Sequence, residues 1–131
     1  MKPNPWNLGA CGVEQMIFAG SVNFDDEDID KGVKVCDLPD NIIVTKAVAV
    51  VTTAFNAGTT NVLTVGTNDD ANNLLGSDDV TEGTAAAYAG GNKFVQLGTG
   101  GKVNAKYTQT GTDATAGAAD IYLFVVRIPA A

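Results

Sequence analysis

Residues 41–66 read NIIVTKAVAVVTTAFNAGTTNVLTVG, and the apolar pattern of this stretch decides the fold. Side chains of a strand alternate between two faces, so a strand covered on one side shows polar residues on the other. Here Ile42, Val44, Val48 and Val50 form one alternating set, and Ile43, Ala47, Ala49, Val51 and Phe55 form the other. Both sets are apolar. The run is rich in β-branched residues, which favour extended backbone. It stops at Asn56-Ala57-Gly58-Thr59, a turn signal, and resumes as a strand from Asn61 to Gly66. Near the C-terminus the pattern repeats, with Tyr122, Phe124, Val126 and Ile128 backed by Ile121, Leu123 and Val125. Such strands need cover on both sides. A second sheet supplies one cover, and a neighbouring subunit is the economical source of the other.

Working outward, the sequence predicts strands at Glu14–Phe24, Val33–Asp37, Ile42–Ala54, Asn61–Gly66, Lys93–Leu97, Lys102–Gln109 and Ala119–Ile128. Pro39 in Leu38-Pro39-Asp40-Asn41 presets a turn, and Gly98-Thr99-Gly100-Gly101 reads as a hairpin connection. Residues 68–82 are polar and acidic around Leu74-Leu75 and are expected to hold a single helical turn. The tally is an all-β chain: a single β-sandwich over residues 13–131, jelly-roll or Greek-key-like, behind an irregular N-terminal arm over residues 1–12. Two prolines and the only tryptophan, Trp6, lie in that arm.

Composition narrows the function. The 131 residues make one domain, large enough for a core of its own. A net charge of −7 argues against nucleic acid and anionic membranes, both of which are gripped by Lys and Arg. No apolar run reaches the roughly 20 residues of a spanning helix, and the N-terminus lacks the apolar core of a signal peptide. Histidine is absent, which removes the commonest general base and every Ser-His or Cys-His nucleophile arrangement. The acids crowd into loops rather than forming a pair on rigid elements, so no enzymatic activity is expected. Cys11 and Cys36 could form a disulfide if the arm folds back, or remain two thiols.

One loop carries a candidate metal site. Asp26, Asp28 and Asp30 alternate ahead of Gly32, an arrangement related to oxygen-rich calcium loops. Glycine comes one place too late for the EF-hand pattern, and Asp37 rather than Glu holds the twelfth position. A solvated acidic hairpin tip explains the same residues. No cofactor is expected beyond calcium at this turn.

The segments Leu38–Asn56 and Leu63–Leu75, together with Ala116–Arg127, resemble small virion proteins of tailed phages, of the head-decoration and head-fibre base type. The resemblance spans roughly residues 38–128 and contains no catalytic motif. It implies trimeric, jelly-roll-like units on a capsid or tail, made in the host bacterial cytoplasm and built into the virion, where the partners are further copies and the major capsid protein. On that basis Ala47, Ala49, Val51 and Phe55 are expected to pack between subunits, and Trp6 to dock on the shell. The alternative is a tail-associated or secreted β-sandwich that binds host glycans with help from calcium.

Overall fold

The computed structural model describes residues 12–68, 70, 72–91, 93–97 and 101–128. Its elements are β1 (Glu14–Asn23), β2 (Val33–Asp37), β3 (Ile42–Thr53), β4 (Thr60–Thr67), β5 (Ala87–Ala89), β6 (Val95–Leu97), β7 (Lys102–Thr110) and β8 (Ala118–Arg127). The strands form a five-stranded and a three-stranded sheet. In the large sheet the order is β1-β8-β3, with β5 and β6 both pairing the far side of β3; the small sheet is β2-β7-β4. All pairs are antiparallel. From β1 to β4, and again from β6 to β8, each successive strand changes sheet. This is jelly-roll winding, and it brings strands distant in sequence side by side.

The two sheets close on one core. Ile42, Val44, Ala47, Ala49, Val51, Ala119, Ile121, Leu123 and Val125 fill it from the large sheet, and Leu63, Val65, Val103, Ala105 and Tyr107 from the small one. The rings of Phe55 and Tyr107 meet at 4.7 Å between centroids. At the β1/β2 corner the sheets approach so closely that a Cβ on Gly20 would lie 2.7 Å from Val35 Cγ1. Only glycine fits that contact.

The structure corrects the strict alternation expected along β3. Val44 pairs Val125 and Lys46 pairs Phe124, so Thr45 is an extra residue, a β-bulge. A bulge adds one residue and exchanges the faces beyond it. Ile42 and Val44 therefore share the inward face with Ala47, Ala49 and Val51, while Ile43, Lys46, Val48 and Val50 face outward. The Thr45 hydroxyl lies 2.7 Å from Glu14 Oε2 and 3.1 Å from Phe124 O, which supplies the polar side chain with partners.

Residues 73–82 contain no helical turn among the described residues, contrary to expectation. They run along the outer edge of β4 instead. Val65 N donates to Leu75 O, and Leu74 N and Leu75 N donate to Val65 O. Leu63 N donates to Glu82 Oε2 at 2.8 Å, and Thr67 N to Asn73 Oδ1 at 2.8 Å. An open edge would invite pairing with other chains, and this one is occupied. Leu74 and Leu75, fully buried, anchor the segment. The three-residue strand β5, Ala87–Ala89, was not expected: alanine carries little strand signal, and the strand exists through its pairing with Val48–Val50.

Candidate interaction surface

The outer face of the large sheet is apolar. Register places its side chains in four rows across β1, β8 and β3: Glu14, Val126 and Ile43; Met16, Phe124 and Lys46; Phe18, Tyr122 and Val48; Ser21, Asp120 and Val50. Met16 and Phe18 are 51% and 55% exposed. Ile43, Val48, Val50, Tyr122, Phe124 and Val126 are half-buried, held only by their neighbours in the sheet. Phe94, 79% exposed, precedes β6 by one residue. Gln96 pairs Ile43 on the outward register, so alternation puts Phe94 on this side too. Among the described residues, three of the four large exposed apolar side chains thus share one face. Scattered singly they would need no explanation, whereas gathered together they make this face a candidate contact surface.

The face is ordered internally. The Phe18 and Tyr122 rings meet at 5.4 Å with a tilt of 58°, and Lys46 Nζ lies 4.9 Å from the centroid of the Phe124 ring. Stacked aromatics and a cation–π contact restrict rotamers before any partner arrives, lowering the entropy lost on association. The outer face of the small sheet differs. Its registered rows carry Lys34, Asp37, Lys102, Asn104, Lys106, Thr108, Thr110 and Thr60, with Val62 and the buried Thr64 among them, a largely polar set. Lys34 Nζ also reaches Asp37 Oδ2 at 3.1 Å, an exposed pair of little energetic weight.

Among the residues singled out from sequence, Ala47, Ala49, Val51 and Phe55 come together, but inside the protomer. They are 0%, 0%, 2% and 2% exposed and are covered by the protomer's own core. The bulge at Thr45 sets this within β3: it puts Ala47, Ala49 and Val51 on the inward face with Ile42 and Val44 and leaves Ile43, Val48 and Val50 outside, while Phe55 follows a second register shift between Val51 and Thr53. The outward-facing set was visible in the sequence as the second apolar face, but its membership depends on the bulge.

The acidic turn does not converge on a cation-sized site. Asp26 Oδ2 accepts Asn23 N at 2.8 Å, and Asp28, with a φ of 60°, sits 3.6 Å from Lys31 Nζ. Asp30 is exposed. Among the described residues no three acidic or other metal-binding side chains gather. The loop is pinned through Ile29, which is buried and whose carbonyl accepts Tyr107 N at 2.9 Å. Trp6 and Cys11 lie outside the described residues. Cys36 carries a free, half-buried thiol, and burial with the nearby Asp37 carboxylate pushes its pKa up to about 11. Glu82, which the sequence did not mark, is the one buried carboxylate among the described residues. Burial raises its pKa, opposed by the hydrogen bond from Leu63 N.

No protein-family model matches the chain, and no curated protein matches it in sequence. Two solved structures match in fold. A chain of the capsid asymmetric unit of cyanophage Pam1 superposes with a TM-score of 0.64 at 19% identity, over 98% of this chain and 94% of that one. A chain of the acidic stable capsid structure of the Helicobacter pylori bacteriophage KHP30 superposes with a TM-score of 0.56 at 15% identity, over 92% of this chain and 96% of that one. The likeness is one of fold. The superposition runs nearly end to end in all three chains.

Proposed function

We propose that the chain is a non-enzymatic structural protein of a phage virion, a capsid decoration protein that self-associates and stabilises the head. The observation that carries this reading is the end-to-end fold likeness to chains of two phage capsid assemblies. The apolar outer face of the large sheet supports it, because a particle component works by contact and needs a surface for it. The proposed action is mechanical. Copies attach at symmetry-related positions, and repetition converts modest contacts into avid attachment. Association into trimers and docking through Trp6 of the N-terminal arm belong to the same proposal.

The test is cosedimentation of the full chain with phage heads purified without it. Saturable pelleting, with a raised melting temperature of the heads, is the expected result, and Trp6→Ala is expected to weaken pelleting. A chain that stays in the supernatant at every concentration overturns the decoration reading. If the same chain instead binds a glycan array, the binding-module alternative replaces it.

A further inference from the structure

We infer that the outer face of the large sheet, centred on Phe18, Tyr122 and Phe124, is the surface through which copies of this chain pack on one another. The inference deepens the self-association in the proposed function and rests on that part of it. The occupant is a second copy.

Size is the first argument. β1 and β8 have 10 residues each and β3 has 12. At a rise of about 3.4 Å per residue and a strand spacing of about 4.8 Å, the face with its β5 and β6 flank measures on the order of 600 Å2 flat. Side-chain relief brings that toward the roughly 800 Å2 that each partner contributes to a standard interface. A second sandwich of the same dimensions covers it fully, in the way one sheet covers another within a sandwich.

Charge is the second. Copies carrying a net −7 repel at long range. The acids responsible lie mostly away from this face, in the Asp25–Asp30 turn and the connections holding Asp70, Asp78 and Asp79. The rows themselves carry Glu14, Lys46 and Asp120, with the cation between carboxylates that stand toward the two ends. A copy slid along the strands sets its Lys46 toward its neighbour's Glu14 or Asp120. Each face thus offers a cation to one carboxylate of the other copy, and the second carboxylate keeps its own hydroxyl donor, Thr45 on Glu14 or Ser21 on Asp120.

Contrast is the third. The equivalent face of the small sheet is mostly threonine, asparagine, lysine and aspartate, with Val62 its one large apolar side chain in the registered rows. Jelly-roll geometry alone does not produce an apolar exterior, since the same chain builds a wet one on the other side.

The experiment is sedimentation velocity with light scattering on the full chain across micromolar concentrations, alongside Phe18→Glu and Phe94→Ser. Both side chains are exposed, so neither change empties the core; circular dichroism and thermal melts report folding. Lys106→Glu on the opposite sheet is the control. Wild type is expected at a multiple of 13.4 kDa. Phe18→Glu is expected to raise the dissociation constant by about 10- to 100-fold, in the range of a central aromatic, and Lys106→Glu to leave it unchanged. Should Phe18→Glu unfold, Phe94→Ser, which precedes its strand, decides by the same readout. A wild type that stays a single chain throughout, or face variants that associate as wild type does, overturns the inference. If wild type stays single yet Phe18→Glu loses head binding, the face belongs to a shell protein and the inference falls while decoration survives. If wild type associates through this face but leaves heads alone, the inference stands and decoration falls.

Discussion

Thr45 reaches across to Glu14: the hydroxyl of the bulge residue in β3 stands 2.7 Å from the Glu14 carboxylate on β1, with β8 between them. The contact ties the three strands at the first of two points where β3 shifts register on β8. Thr45 is 6% exposed, so its hydroxyl needs that partner. Thr45→Val keeps the shape and removes the hydrogen bond. It is expected to cost about 1 kcal/mol of stability, read by urea unfolding, whereas a cost near zero would show that the bulge is held by packing alone.

Gly117 lies under the Phe55 ring. A Cβ placed there would stand 2.7 Å from Phe55 Cγ, and its φ of 152° is one that other residues avoid. Gly117→Ala must displace the ring from the core contact with Tyr107 or move the start of β8. A loss of about 2–3 kcal/mol is expected from overpacking and backbone strain. A melting temperature within a degree of wild type would count against this account.

Ala49 separates core from interface. Because it is fully buried in the protomer, Ala49→Leu is expected to lower stability by about 1–3 kcal/mol. The association constant of whatever folded protein remains should not change. A variant as stable as wild type but unable to associate would return Ala49 to the subunit contact.

Glu82 makes a pH-dependent contribution. Its carboxyl pKa in the fold is raised, chiefly by burial. A raised acid favours the protonated form in the native state, so its stabilising contribution is fully present below the unfolded value of about 4.3. That contribution is lost as pH rises through the folded value. Glu82→Gln keeps an oxygen for Leu63 N and cannot ionise. The stability of wild type relative to Glu82→Gln, from urea curves at stepped pH, should therefore fall as pH rises above about 4.3. A difference that instead grows with pH would mean that the Leu63 N bond outweighs desolvation.

Much of the fold was legible in the sequence because strand periodicity and turn residues are local. The expected strands Val33–Asp37 and Lys102–Gln109 match β2 and β7 within a residue, and the jelly-roll alternative is the one realised. The misses have tertiary causes. Ala87–Ala89 becomes a strand because Val48–Val50 offers it an edge. Residues 73–82 stay irregular because β4 supplies the hydrogen-bond partners that a helix would otherwise provide.

The candidate surface divides the same way. Two apolar faces on β3 and β8 are properties of the sequence, since composition at alternate positions follows from the chain alone. Which face meets the core is not, because one bulge residue exchanges them and a bulge forms only when the neighbouring strand sets the register. Sequence by itself thus determined an all-β sandwich with more apolar strand surface than one core covers. Tertiary structure decided that Ala47, Ala49 and Val51 join Ile42 and Val44 in that core, for the pairing of β3 with β8 places Thr45 out of step, and the register of β1 on β8 leaves Met16, Phe18, Tyr122 and Phe124 together outside.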